Sequence, residues 1–511
     1  MAFYSGKLMI PPPLVYSLSE LLADRLPTIQ LDPSIQVQRI CADSRNVQPG
    51  DLFIAVGGVA AERANFVSQA LNQGAVAALV DAEEYAQIVI ATNRTQTAPI
   101  VPVLQLQQYL GVLAARFYGI PCQHLRIIGV TGTNGKTSIS QFVARLLQQN
   151  NQSCAIIGTL GSGFVDHLVT SNLTTPGAIA LQETLANLVR QEAKQVAMEV
   201  SSHSLVQQRI AAIPFEIAIF TNLTRDHLDY HGTMENYYQA KRLLFLTPHL
   251  KCAVINVDDL FGRRLLDELA PQLTCYAYSL ENGCQGIPTV RASQLRFHSR
   301  GFSAHIDSPW GSGELHSQLL GRFNLSNLLA ALTTVCVLLQ LPLKTALQQL
   351  AQLPNVYGRM HCLGGDNLPL VVIDYAHTPD ALEKALTALR EHCQGRLWCV
   401  FGCGGNRDTG KRPLMATVAE AFADHVIVTD DNPRLEPPEQ IIAEIYQGFQ
   451  YRNRIQKIHD RSCAIATAIN QAGAGDVVLI AGKGHETYQL IGTQKNVFSD
   501  LAVAQKVLDL L

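Results

Sequence analysis

The chain carries few charges. Asp, Glu, Lys and Arg are 16% of its 511 residues, and 39 basic against 42 acidic side chains leave a net charge of −3. There is no basic block, which argues against nucleic-acid binding. No two of the twelve cysteines form a C-x-x-C pair, and Cys399 and Cys403 have three residues between them. That spacing disfavours a zinc site or a disulfide framework and points to reduced thiols, so a cytoplasmic location is expected. The start does not resemble a secretion signal: Lys7-Leu8-Met9-Ile10 runs straight into Pro11-Pro12-Pro13. The longest apolar stretch, Leu325 to Leu343, is broken by Ser326, Asn327, Thr333, Thr334 and Gln340. It reads as a buried core helix, and no membrane insertion is expected. Internal repeats and low-complexity tracts are absent.

What is present suits a large α/β enzyme. Hydrophobic residues reach 47%, enough for sizeable cores. The length accommodates about three domains at roughly 150 residues each. Residues 1–103 form a small unit, with strands at Asp51 to Val56 and Val76 to Val80 and a helix from Phe66 to Asn72. A polar loop, Thr92 to Thr97, leads to its boundary. Residues 104–342 form a central unit that opens with a helical pattern from Leu104 to Tyr118. Residues 343–511 alternate strand and helix. The strands are Leu370 to Asp374, Leu397 to Phe401, His425 to Thr429 and Val477 to Ala481. The helices are Pro379 to His392, Arg412 to Ala423, Pro438 to Phe449 and Ser462 to Ala472. Such alternation predicts a mostly parallel sheet covered on both faces.

The most informative string is Gly132-Thr133-Asn134-Gly135-Lys136-Thr137. It follows the apolar run Ile127 to Val130 and precedes helical spacing at Ile139, Phe142, Val143, Leu146 and Leu147. Strand, glycine loop and helix are what a phosphate-binding loop needs, because backbone N–H groups and a helix N-terminus converge on phosphate oxygens. Lys136 would reach the outer phosphates and the Thr137 hydroxyl would ligate magnesium. The first glycine of the general G-x-x-x-x-G-K-[ST] pattern is replaced by Val130, so this is a variant loop.

Two polar clusters follow strand-like runs, where ligands bind in open α/β sheets. Glu199-Val200-Ser201-Ser202-His203 follows Gln195 to Met198, and Thr221 to Asp229 follows Ile217 to Phe220. Glu199, Thr137 and His227 could thus converge on magnesium, which favours a carboxylate plus phosphate oxygens over a histidine cage. Glu199 could equally be a turn acid, and Lys241 a solvated helix charge.

These strings together resemble those of the Mur ligases, ATP-dependent amide ligases that build the peptidoglycan stem peptide. The matching residues run from Asp43-Ser44-Arg45 to Gly482-Lys483-Gly484-His485-Glu486. They include Thr174-Thr175-Pro176, Glu199 to His203, Asn222 to His231, Leu320 to Asn324, Gly358-Arg359-Met360 and Asp374 to Pro379. The resemblance implies three domains: a small N-terminal α/β domain, a central P-loop ATPase-like parallel-sheet domain and a C-terminal Rossmann-like domain. It implies that Gly132, Thr133, Asn134, Gly135, Lys136 and Thr137, with Asn327, Arg359 and Asp374, bind ATP. It implies Mg2+ on Thr137, Glu199 and His227, and a carbamylated Lys241, where CO2 turns a cation into an anion able to orient a metal. A UDP-N-acetylmuramoyl dipeptide would contact Ser44, Thr174, Thr175, Ser201, Gln207 and Arg209. Its carboxylate would attack ATP to give an acyl phosphate, which an amine then captures. Lys136, Lys241, Glu199 and His227 would be the catalytic group, and the protein a monomer.

Asp431-Asn432-Pro433-Arg434 points within the family to meso-2,6-diaminopimelate as the amine. That amino acid differs from lysine by one carboxylate, and a guanidinium fork matches a carboxylate bidentately. Arg434 would supply the fork, Arg407 a second clamp, and Asp431, Asn432, Pro433, Gly482 and Glu486 the remaining contacts. Rival readings are a lysine-adding relative, folylpolyglutamate synthase, and a P-loop kinase or nucleotide-gated module. Three departures from the family pattern stand out: Glu62-Arg63-Ala64 near the nucleotide-sugar site, His361 after Gly358-Arg359-Met360, and Ser138 after the loop threonine.

Overall fold

A computed structural model describes residues 15–511 except 24, 26–30, 93–97, 172, 282 and 299–300. The proline-rich start and residues 93–97 of the polar loop lie outside the described residues. The chain divides into two compact units. One comprises Met1–Gly129, Gln152–Glu216 and Gln239–Lys251; the other comprises Val130–Asn151, Ile217–Tyr238 and Cys252–Leu511.

The first unit contains a parallel four-stranded sheet in sequence order: Arg39–Cys41, Asp51–Ile54, Ala77–Asp81 and Ile100–Val103. Its strands are apolar on both faces because both are covered. Leu52, Ile54, Leu79 and Val101 pack under Leu106, Leu110 and Leu113 of the helix Leu106–Phe117. Phe53, Ala78 and Val80 pack under Val67 and Leu71 of the helix Ala60–Asn72. That helix starts six residues earlier than the Phe66 predicted from sequence. Its start carries Glu62, whose carboxylate accepts from the Val59 N–H at 3.5 Å, and Val59 is not a side chain that announces a helix start. The anomalous Glu62-Arg63-Ala64 string is therefore a helix first turn. The same unit holds Cys154–Gly158 parallel to Gln195–Glu199, with Gly161–Phe164 and His167–Val169 added antiparallel.

In the second unit, Cys252–Asn256, Thr274–Ser279 and Thr289–His298 are parallel in turn, and Gly301–Ser308 and Gly311–Ser317 follow antiparallel. The helix Arg322–Leu339 is long and apolar enough to cross a bilayer, yet its Leu325, Leu328, Leu329, Leu332 and Val335 are buried in the fold. The helix Leu343–Ala351 packs on the strand Gly311–Ser317, and its Gln349 exchanges hydrogen bonds with Asn150 at the end of the helix Lys136–Gln149.

The rest of this unit builds a six-stranded sheet. Its order is His361–Gly364, Leu370–Asp374, Val477–Ala481, Leu397–Phe401, His425–Val428, Gln456–Lys457, and only the first strand is antiparallel. Alternate residues face opposite cores. Cys399, Phe401, Val428 and Leu479 pack toward Leu386, Met415 and Ile442. Trp398, Val400, Ile427 and Ile480 pack toward Ile465, Ile469 and Leu508. The helix Pro379–Arg390 begins where Thr378 accepts from the Ala381 N–H and Pro379 occupies the first turn. All twelve cysteines are free thiols.

Candidate active site

The glycine loop is held by the segment after the strand Phe215–Phe220. Thr133 N donates to Asn222 O at 2.8 Å and Asn134 N to Asn222 Oδ1 at 3.0 Å. Thr221 Oγ1 donates to Asn134 O at 2.6 Å. A Cβ on Gly132 would sit 1.8 Å from Thr221 Oγ1, so only glycine fits there. A Cβ on Gly135, at φ +88°, would sit 2.6 Å from Asn327 Oδ1, which places that asparagine against the loop. Lys136 opens the helix Lys136–Gln149, and its Nζ donates to Gly132 O and Thr133 O, both at 2.8 Å. Helix N-terminus, loop amides and lysine form a cradle for phosphate.

The helix Pro379–Arg390 touches the segment that holds this loop. Thr224 Oγ1 donates to Asp380 Oδ2 at 3.3 Å. Asp374, at the end of its strand, accepts from the N–H groups of Met360 and Ala376, both at 2.8 Å. Burial raises the Asp374 carboxyl above its ordinary value, and the Arg359 charge opposes the rise. The Arg359 guanidinium lies 4.6 Å over the Tyr375 ring. Gly358 and Gly484, both at positive φ, interlock: a Cβ on Gly358 would meet His485 N at 2.2 Å. Arg359 and Asp374 are thus brought together beside the Gly482–Glu486 string.

His485 gives this junction a pH dependence. Burial first, then repulsion from Arg359, pushes its imidazole down to about 4. A depressed histidine contributes stability that is present above the ordinary value and is lost as pH falls toward the folded one. Between pH 7 and 5 wild type should lose about 2 kcal/mol through this residue. Urea unfolding of His485→Gln should show a correspondingly shallower acid loss; an unchanged slope would refute the assignment.

Three loops meet at the C-terminal ends of adjacent parallel strands. Gly405 N donates to Asn432 O at 2.9 Å, and Arg434 Nη1 donates to Gly405 O at 2.9 Å. Asn432 Nδ2 donates to Glu486 Oε2 at 2.8 Å. A Cβ on Gly404 would lie 2.7 Å from Arg434 Nη1 and 3.7 Å from Arg407 Cγ. Arg407 is exposed, whereas Asp431, Asn432, Pro433 and Gly482 are buried. Burial raises the Tyr488 phenol; Glu486 and Asp431 push it the same way, and Arg434 and Arg407 oppose them. Four of the predicted amino-acid residues, Arg407, Asp431, Arg434 and Glu486, thus act on one tyrosine. Sequence reading missed Tyr488 and the buried cations behind it. Arg412 is fully buried and bonds Gly404 O, Glu436 and Glu444. Arg461 is nearly so; it pairs with Asp500 at 2.7 and 2.8 Å and donates to Ala481 O. Hydropathy patterns hide such residues, since charges are usually read as surface.

The first unit assembles a second cluster, around Glu199. This buried carboxylate accepts from Thr159 N at 2.9 Å and Thr159 Oγ1 at 3.0 Å. Thr159 Oγ1 lies 3.1 Å from Thr174 Oγ1. Thr175 Oγ1 donates to Glu199 O and accepts from Ser201 N. Arg209 donates to Thr175 O at 2.8 Å and to Gln207 Oε1 at 3.0 Å. Thr174, Thr175, Ser201, Gln207 and Arg209 are thus one network. No hydrogen bond joins Ser44 to it; the Ser44 hydroxyl donates to Gln69 Oε1 at 2.8 Å. Lys241, in the last turn of the helix Met234–Arg242, is 1% exposed and so is not a solvated helix charge.

Among the described residues no group of three or more His, Cys, Asp or Glu could hold a metal ion. The expected set supplies one hydroxyl, one carboxylate and one imidazole. The Thr137 hydroxyl and the Glu199 carboxylate are hard oxygen donors of the kind magnesium prefers. Thr137 and Glu199 are buried; His227 sits at φ +53° with its N–H on Asp226 Oδ1.

Family models match three consecutive stretches: the Mur ligase family catalytic domain at residues 36–118, the Mur ligase middle domain at 130–335 and the Mur ligase glutamate ligase domain at 358–484. The UDP-N-acetylmuramoyl-L-alanyl-D-glutamate--2,6-diaminopimelate ligase of Coxiella burnetii is 48% identical over 96% of this chain and 99% of its own. The ligase of the same name from Pseudomonas aeruginosa is 49% identical over 94% and 96%. A solved structure of such a ligase aligns at 37% identity with a TM-score of 0.70, covering 97% of this chain and 99% of the other. Mycobacterium tuberculosis folylpolyglutamate synthase aligns at 17% identity over 73% of this chain with a TM-score of 0.60, a likeness of fold alone. Three tandem matches and two near-full-length relatives lead to one conclusion: the chain belongs to the Mur ligase family and has its three-domain architecture.

Proposed function

We propose that this chain is an ATP-dependent, ADP-forming ligase that adds meso-2,6-diaminopimelate to UDP-N-acetylmuramoyl-L-alanyl-D-glutamate in cytoplasmic peptidoglycan precursor synthesis. The observation that carries the choice of amino acid is the meeting of Arg434 with the Gly404–Arg407 loop and of Asn432 with Glu486. The expected boundaries at 103 and 342 each move by one helix in this reading. Leu106–Phe117 packs on the first sheet, and Leu343–Ala351 packs on the central segment. Free thiols support the cytoplasmic location.

The Gly132–Thr137 amides and Lys136 hold the ATP phosphates, and Asn327, Arg359 and Asp374 hold the nucleotide from the flanking elements. Thr174, Thr175, Ser201, Gln207 and Arg209, with Ser44, hold the nucleotide-sugar peptide. The substrate carboxylate attacks the γ-phosphorus, ADP leaves, and an acyl phosphate forms. The amine of diaminopimelate attacks the acyl carbon, phosphate leaves, and the amide nitrogen gives up its proton. Charge neutralisation and positioning carry most of the acceleration. Thr137, Glu199 and His227 would hold Mg2+, which supplies further neutralisation of phosphate charge, and a carbamylated Lys241 would supply an anion to orient it.

Arg434 and Arg407 pair with the distal carboxylate that lysine lacks. Losing one charge-assisted contact costs about 1.5–3 kcal/mol. Arg434→Ala should therefore lower kcat/KM for diaminopimelate about ten- to a hundredfold and that for lysine far less. An unchanged ratio of the two would remove Arg434 as the specificity residue.

A further inference from the structure

We infer that Lys483 is a positioning residue that sets amino-acid selectivity by orienting Asn432 and neutralising Glu486. This inference rests on the amino-acid site proposed above. Lys483 has no exposed surface, an unusual place for an ammonium. Its Nζ donates to Asn432 Oδ1 at 3.0 Å and to Glu486 Oε2 at 3.0 Å, and it faces the Tyr488 ring 5.7 Å away. Asn432 Oδ1 also accepts from Leu490 N at 2.9 Å.

Those contacts decide which way the amide points. With a cation and a backbone N–H on its oxygen, Asn432 must offer its NH2 on the other side, where it donates to Glu486 Oε2. The same carboxylate oxygen therefore takes two donors, which leaves Oε1 as the oxygen for a substrate ammonium. The charge argument is separate. Asp431 and Glu486 bring two negative charges to a pocket that must accept the carboxylate of diaminopimelate. Lys483 offsets one of them from beneath. Without it the pocket favours the purely cationic end of lysine over the zwitterionic end of diaminopimelate.

The test compares Lys483→Met, Lys483→Gln and Lys483→Arg with wild type and with Arg434→Ala. It reads kcat/KM for diaminopimelate and for lysine, KM for ATP, and Tm. Wild type must first prefer diaminopimelate; if it does not, the site reading itself fails. The neutral variants should lose about ten- to a hundredfold in kcat/KM for diaminopimelate, the worth of a charge-assisted contact. Lysine and the KM for ATP should change less than about threefold on the same grounds. Lys483→Arg keeps the charge and two donors and should keep most of the preference even if the Met variant fails to fold. Equal losses for both amino acids, or a preserved preference in a folded neutral variant, would overturn the inference. So would loss of preference in folded Lys483→Arg that equals that of the neutral variants.

Discussion

Lys136→Ala should lower turnover by about a hundred- to a thousandfold while leaving a folded protein. The Lys136 ammonium sits at the loop and at the start of the helix Lys136–Gln149, where it donates to Gly132 O and Thr133 O. In the proposed reaction those bonds are exchanged for phosphate oxygens whose charge grows toward the transition state. Removing one preorganised group of that kind costs about 3–4 kcal/mol in the barrier. The folded state loses much less, about 0.5–1.5 kcal/mol per hydrogen bond. That loss is small beside a typical stability of roughly 5–15 kcal/mol. Steady-state ADP formation together with a thermal unfolding trace separates the two effects. Near-normal turnover in a folded variant would remove the ATP assignment of the loop.

Lys241→Ala should be nearly inactive, and short carboxylic acids should restore part of its activity. The motivating observation is burial: a lysine 1% exposed on the helix Met234–Arg242. A charged ammonium there costs several kcal/mol of desolvation unless it is compensated. Addition of CO2 to the neutral amine releases a proton and gives a carbamate, which is an anion. Formate or acetate diffusing into the space left by alanine replaces that anion, though not its tether. Equilibrating the wild-type enzyme with 13CO2 should give a carbamate carbon signal that Lys241→Ala lacks. Active enzyme carrying a bare amine, or a variant that no carboxylic acid rescues, would count against the modification.

The legible parts of the chain were those whose chemistry is local. The strands Leu370–Asp374, Leu397–Phe401 and Val477–Ala481 have the bounds expected from sequence, because strands covered on both faces are written as short apolar runs. The glycine loop was legible because its backbone demands glycine at positions 132 and 135. The strands Thr289–His298, Gly301–Ser308 and Gly311–Ser317 were not foreseen. They are polar on one side, rich in serine and histidine, and irregular in register between Ser293 and Arg296. The hairpin of Tyr488–Ile491 with Gln494–Val497, which carries Tyr488, was missed for a similar reason: Val497 and Ile491 are exposed. Arg412, Arg461 and Lys483 were illegible because only a fold reveals that a charge is buried and what it pairs with.

The central claim is an amide ligation that couples ATP cleavage to two other substrates. It is tested most directly by ADP formation in reactions containing ATP, UDP-N-acetylmuramoyl-L-alanyl-D-glutamate and meso-2,6-diaminopimelate, with each omitted in turn and with lysine replacing the amino acid. The account predicts sustained ADP and phosphate release only when all three are present, one tripeptide product per ADP, and a much lower rate with lysine. ADP released at full rate without an amine, phosphate transferred to a hydroxyl, or equal use of lysine and diaminopimelate would contradict it.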